Sequence, residues 1–160
     1  LRRGNFMNKK RRYSIGIDFG TLSARAMLFS IQDGRSLAEA ECHYPHGVMD
    51  TALPNGTPIP PDWALQCPDD YLFALDSVLP QLASDAGVDP TEIVGIGVDF
   101  TSCTVLPVRQ DGMPLCLLPE FSSNPHAYVK LWKHHGAKRC ADKMSAVAIE
   151  RDEPWLAPCG

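Results

Sequence analysis

The sequence predicts an α/β domain, a mixed β-sheet with antiparallel strands at its front and helices packed on it. Three observations predict it. Residues 13–44 hold three extended, largely apolar segments separated by tight polar turns. From Pro68 to Gly87, apolar side chains recur at helical spacing. Ile93–Phe100 (IVGIGVDF) is a nearly continuous apolar run, as expected of a strand buried on both faces. At 160 residues, 44% of them hydrophobic, the chain can bury a core of its own.

The first strand is expected at Tyr13–Phe19, where β-branched Ile15 and Ile17 flank Gly16 and extend the backbone. Asp18, Gly20, Thr21 and Ser23 then place a carboxylate, a residue without Cβ and two hydroxyls in one turn. Such a turn offers amide and hydroxyl donors to phosphate oxygens, with an acid placed to hold magnesium or its water. It reads equally as an ordinary hairpin with polar tips. Strand resumes at Ala24–Ile31, so no helix opens after the turn, which excludes a Walker loop and a dinucleotide fingerprint.

Asp33-Gly34 signals the next hairpin, into Ser36–Tyr44. The segment Pro45 to Pro68 is proline-rich and irregular, and its length suggests a functional loop or an insertion. Pro68-Asp69-Asp70 opens a helix carrying Tyr71, Leu72, Leu75, Val78, Leu79 and Leu82; Gly87 and Pro90 close it. Pro80 is expected to kink or split it. After the buried strand, Thr104–Val108 reads as extended, Asp111-Gly112 as a turn and Leu115–Leu118 as the returning strand. Asn124-Pro125 reads as a helix cap, with the helix running to about Val147 and Gly136 as its weak point.

The formal net charge is −4, yet residues 1–12 carry six of the 15 Lys and Arg and no acid. The remaining body is strongly acidic, which argues against nucleic acid as a partner. The basic leader reads as an upstream remnant or frayed tail rather than a nucleic-acid or targeting patch, and it is excluded from the fold. It lacks the apolar core of a signal peptide, and no stretch of about 18 apolar residues exists for a membrane span. A cytoplasmic protein with no membrane partner is expected. Cysteines at 42, 67, 103, 116, 140 and 159 show no tight pairing, so free buried thiols are expected. A zinc site from His126, His134, His135 and Cys140 is disfavoured, because adjacent histidines on a helix point about 100° apart.

Two further patches carry chemistry. Asp99 to Thr104 (DFTSCT) clusters a carboxylate, hydroxyls and a thiol where a central strand ends, the usual place for a ligand crevice in open sheets. It reads equally as a polar strand end satisfying itself. In VKLWKHH, Val129 to His135, Trp132 could stack on a sugar while Lys133 or His135 binds its hydroxyls. On a helix, Tyr128, Leu131, Trp132 and His135 would also form a core-facing stripe.

Taken together, the three patches resemble the amino-terminal domain of the FGGY family of carbohydrate kinases, in its ribulokinase branch. Asp18-Phe19-Gly20-Thr21-Leu22-Ser23-Ala24-Arg25 matches the family's D-x-G-T-x-S-x-R phosphate loop. Gly95–Val108 with Pro114–Phe121 resembles the ribulokinase form of the next segment, and Asn124–His135 the tryptophan-containing sugar-site helix. The resemblance covers about Tyr13 to Ala141, with His46 to Pro68 included. It implies a ribonuclease-H-like, actin-type ATPase domain over 13–160, incomplete relative to the family. It also implies ATP-dependent phosphorylation of L-ribulose at its terminal hydroxyl, giving L-ribulose 5-phosphate in arabinose breakdown. By that carry-over Asp18 sits near Mg2+, and Gly20, Thr21, Ser23 and Arg25 contact the phosphates. Asp99, Thr101, Ser102, Trp132, Lys133 and His135 line the sugar site. Arg25 has a rival role as a solvated strand residue paired to an acid. The general base and the adenosine-binding domain are expected beyond Gly160, so the chain alone is expected to be inactive; the parent is a candidate homodimer. The alternative is a stand-alone pentulose-binding module without catalysis.

Overall fold

The computed structural model describes residues 11–156. Strands β1 (Tyr13–Phe19), β2 (Ser23–Ser30) and β3 (Ser36–His43) form an antiparallel meander, as expected. Helix α1 (Asp69–Ala86) follows a short strand β4 (Leu65–Gln66), and β5 (Ile93–Phe100) returns parallel to β1. The sheet order is β3-β2-β1-β5. Alternation along β1 turns Ile15, Ile17 and Phe19 to one face, where Ala24, Ala26 and Leu28 of β2 meet Ala74, Val78 and Leu82 of α1. Val78 and Leu82 are fully buried, each stabilising the fold by about 1.5–3 kcal/mol of apolar burial.

Helix α1 runs unbroken through Pro80, against expectation. Proline here removes one bond, to the carbonyl of Asp76, and both residues lie on the solvent face where water can satisfy the orphan. Gly87 ends the helix as predicted, at φ 60°, a left-handed conformation that suits glycine.

The strand expected to be buried on both faces is instead exposed: Ile96 is 54% and Val98 60% accessible. The register explains it. Ile96, Val98 and Phe100 lie beside Ile15, Ile17 and Phe19, on the α1 side. But α1 packs mainly across β2 and β3 and meets β5, the edge strand among the described residues, through Tyr71, whose ring stands edge-on to Phe100 at 6.0 Å. The opposite face of β5 carries Gly95, Gly97 and Asp99 and has little apolar surface to cover.

The proline-rich segment is an ordered second core. Met49, Leu53, Ile59, Leu65 and Cys67 pack with Cys116, Ala127 and Tyr128. Strand β4 pairs antiparallel with β6 (Val129–Lys130). The Asp111-Gly112 turn forms, with Gly112 at φ 85°. The predicted return strand makes only a bridge, Val108 to Pro114, with the Leu115 N–H donating to the Pro107 carbonyl at 3.0 Å; a 3-10 turn, Leu115–Leu117, follows, since Pro107 has no N–H to donate in return.

The long helix expected from Asn124 is also corrected. Asn124 does cap, its Oδ1 accepting the His126 N–H at 3.0 Å, but only a 3-10 turn, Pro125–Ala127, follows. Val129, wholly buried, is held extended by pairing with Gln66, a non-local contact that helical periodicity cannot reveal. Helix α2 (Lys138–Glu150) begins later, so Trp132, Lys133 and His135 lie on the loop between β6 and α2.

Cys42, Cys67 and Cys116 are free and buried as expected, whereas Cys103 and Cys140 are free but exposed; Cys159 lies outside the described residues. Most of the basic leader also lies outside them, although the carbonyl of Arg12 accepts the Ile31 N–H at 3.0 Å. No described helix is long and apolar enough to cross a membrane.

Candidate functional site

The β1–β2 turn closes on itself: the Gly20 N–H donates to the Ser23 carbonyl at 2.9 Å. A Cβ on Gly20 would stand 3.1 Å from that oxygen, so the turn is tight enough to favour glycine. Among the described residues, the N–H groups of Thr21 and Leu22 donate to no protein acceptor. Asp18 is exposed at the end of β1, opposite Arg25 across the hairpin and in register with Asp99 on β5. Two carboxylates thus stand side by side on one face of adjacent parallel strands, about 4.8 Å apart at the backbone. Such hard oxygen donors fit a magnesium ion held directly or through its water.

Thr21 is the meeting point of the predicted patches. The Trp132 indole N–H donates to Thr21 Oγ1 at 3.4 Å, joining residues 111 positions apart. Trp132 is 58% exposed, so its ring lies open to a ligand rather than in the core. Thr101 fastens the end of β5 to the end of β1, donating to the Phe19 carbonyl from its N–H at 3.1 Å and its hydroxyl at 3.2 Å. Cys103 sits at φ 60°, and the chain turns there into a bridge between Val105 and Lys130, which sets the DFTSCT end beside β6. The side chains of Ser102 and Lys133 make no hydrogen bond among the described residues.

Other predicted residues face elsewhere. Ser23 Oγ donates to Glu41 Oε1 at 2.7 Å, and Arg25 Nε to the same oxygen at 3.2 Å. These bonds, Ser23 first, hold the Glu41 carboxyl below its ordinary value. Arg25 therefore occupies its rival position, a solvated strand residue paired to an acid. The His135 backbone N–H donates to the Asp62 carbonyl at 2.9 Å, and its side chain is exposed. His126 and His134 pack edge-on to Trp63, at 4.8 and 4.7 Å, instead of converging on a metal.

One residue escapes sequence reasoning. Gln66, 1% exposed, donates from Nε2 to the Thr21 carbonyl at 2.8 Å and the Gly20 carbonyl at 3.4 Å, and accepts the Tyr71 hydroxyl at 2.7 Å. The signal that could have found it is a lone amide in the otherwise apolar stretch Ala64–Cys67.

Comparison with known proteins follows this geometry. The chain is 48% identical over 152 residues to a ribulokinase of Mycolicibacterium smegmatis, covering 93% of this chain and 27% of that protein. It is 46% identical over 151 residues to a ribulokinase of Geobacillus thermodenitrificans, again covering 27% of the relative. The chain is thus similar to ribulokinases along nearly its whole length. It spans about a quarter of the length of the curated relatives it matches. No family model matches it. Among solved structures, a gluconate kinase from Lactobacillus acidophilus superposes with TM-score 0.65 at 18% identity, over 89% of this chain and 24% of that one. A xylulose kinase from Brucella ovis superposes with TM-score 0.66 at 18% identity, over 88% of this chain and 25% of that one. The predicted fold class, the actin-type sheet and helix arrangement of sugar kinases, is therefore the observed one.

Proposed function

We propose that this chain is the amino-terminal part of a cytoplasmic, ATP-dependent kinase that phosphorylates L-ribulose at its terminal hydroxyl. The product would be L-ribulose 5-phosphate. The observation that carries this reading is the Trp132–Thr21 hydrogen bond, which joins the indole proposed to face the sugar to the turn proposed to face the phosphates. A kinase needs those two groups adjacent, because phosphoryl transfer depends on positioning and charge neutralisation more than on covalent help.

In this reading Asp18 would hold magnesium, and Asp99, which the resemblance assigns to the sugar, is reassigned to the metal because its register sets it beside Asp18; the ion would neutralise charge on the transferred phosphoryl group. The turn at Gly20, Thr21 and Ser23 contacts the phosphates, with Arg25 reaching them only by leaving Glu41. Thr101, Ser102, Trp132, Lys133 and His135 belong to the sugar side, with Thr101 acting through the strand ends that it ties together. The attacking hydroxyl oxygen bonds to the γ-phosphorus, the bridging oxygen leaves with ADP, and a general base outside these residues takes the hydroxyl proton. In the whole protein a second domain would bind the adenosine and close the site against water.

The test is a coupled ADP-release assay on a full-length kinase carrying this segment, offered L-ribulose, D-xylulose and glycerol in turn. Preferential turnover of L-ribulose is expected. Turnover of another polyol with none of L-ribulose would refute the substrate. The 160-residue chain alone is expected to show no turnover; heat stabilisation of it by millimolar L-ribulose would support the sugar-binding half of the reading.

A further inference from the structure

We propose that Gln66 is the positioning residue of the phosphate turn: its side-chain amide, aimed by Tyr71, makes the N–H groups of Thr21 and Leu22 face an anion together. This rests on the phosphate-turn reading above and adds the device that builds the turn.

The geometry follows from two peptide planes. No cis peptide bond occurs among the described residues. In a trans peptide the C=O and the following N–H point in opposite directions. Gln66 Nε2 binds the carbonyls of Gly20 and Thr21, so both carbonyls point toward the buried amide. The N–H groups of the same planes belong to Thr21 and Leu22, and they must point away from it. Two successive amides with one direction form an anion-binding concavity. The neighbouring Gly20 N–H is already spent on Ser23, so it does not compete.

Only certain chemistry can do this. The amide nitrogen carries two hydrogens, one for each carbonyl, whereas an ionised carboxylate carries none. An apolar side chain of the same size would leave two carbonyls without donors. The Tyr71 hydroxyl decides which way the amide faces, because it donates to Oε1 and so leaves Nε2 for the turn. Burial pushes the Tyr71 phenol up from its ordinary value, which keeps it protonated and a donor. The ligand class is a phosphate oxygen, whether of inorganic phosphate or of a nucleoside triphosphate.

The experiment is an amide NMR titration of the 160-residue chain with inorganic phosphate, on wild type, Gln66→Glu and Tyr71→Phe. In wild type the Thr21 and Leu22 amides should shift saturably. Gln66→Glu should weaken phosphate binding about tenfold or more, since donors are replaced by an acceptor facing two carbonyls. Amides of the β2–α1 core, such as Leu28 and Val78, should keep their positions, which separates a positioning role from general unfolding. Tyr71→Phe keeps the ring and frees the amide, so a smaller loss of roughly two- to fivefold is expected. Unchanged phosphate affinity in Gln66→Glu overturns the proposal; if that variant does not fold, unchanged affinity in Tyr71→Phe overturns it. No wild-type shift at Thr21 and Leu22 would refute the phosphate turn itself, a result distinct from a wild-type response that survives both substitutions.

Discussion

Gly136→Ala gives a test in which the sign of the effect decides. Gly136 does not occupy the left-handed region. By backbone entropy alone, alanine there should stabilise the fold by about 0.4–1 kcal/mol. The packing predicts the reverse. A Cβ on Gly136 would meet Nε2 of His134 at 2.6 Å, and Nε1 and Cε2 of Trp63 at 2.6 and 2.8 Å. Neither ring can yield freely. Trp63 is wedged edge-on between His126 and His134, and His134 Nδ1 accepts the Ala64 N–H at 3.3 Å. Overpacking costs about 1–3 kcal/mol, and contacts this short against two held rings place Gly136 in the upper part of that range, about 2–3 kcal/mol, so a net loss of about 1–2.5 kcal/mol remains. That corresponds to a fall in Tm of roughly 2–10 °C for a domain of this size. Circular dichroism melting at fixed pH measures it. A Tm equal to or above wild type would refute the packing argument, and with it the placement of Trp63 against the loop that carries Trp132.

Two further predictions concern buried polar groups. Among the described residues the Tyr44 hydroxyl is buried without a hydrogen-bond partner, so Tyr44→Phe should hold stability or raise it by up to about 1 kcal/mol in urea unfolding; a loss of about 1 kcal/mol or more would show an unseen partner. Burial first, and then the Lys130 charge, lowers the His134 pKa below its ordinary 6.5, which keeps the ring neutral as an acceptor. Above 6.5 this stabilisation is complete; as pH falls from 6.5 toward the lowered folded value, the unfolded chain gains a proton that the folded chain refuses, and stability drops. Tm measured across that window should decline in wild type and flatten in His134→Gln, and an identical decline in both would assign the effect to another group.

What the sequence disclosed, it disclosed through local rules. The meander was legible because β-branched alternation and Asp33-Gly34 act within a few residues, and α1 because its apolar stripe and Gly87 cap are local too. The region after Asn124 was misread for the opposite reason. Its cap and periodicity favour helix, but Val129 and Lys130 are held extended by strand partners more than 60 residues away. Ile93–Phe100 was read as doubly buried from composition alone, whereas exposure depends on how far α1 extends across the sheet. Of the candidate site, the spacing singled out Asp18, Gly20 and Thr21 only as polar groups sharing a turn, and Trp132 only as part of an apolar stripe; their proposed roles come from the family resemblance. The capture of Ser23 and Arg25 by Glu41 was visible only as an alternative for Arg25, since strand register decides it. Gln66 left only a weak signal, a lone amide in an apolar stretch, because two of its three partners are backbone carbonyls, which carry no residue signature.

The two cores explain why the chemistry gathers where it does. The first is the sheet with α1, and the second is the Met49–Tyr128 cluster around β4 and β6. Each is apolar within, so the polar groups of both are pressed to the seam between them. From the first core the seam receives the β1–β2 turn with its carboxylate and free amides. From the second it receives Gln66 on β4 and the loop after β6 that carries Trp132. Gln66 and Trp132 are also the two side chains through which the second core bonds the turn, Gln66 to its carbonyls and Trp132 to its hydroxyl. A displacement of one core against the other therefore strains Gly20 and Thr21, together with the Tyr71–Gln66 and His46–Asp70 bonds to α1. Loosening the second core, as Gly136→Ala should, then predicts weaker phosphate binding at a turn far along the chain, without altering any residue of that turn.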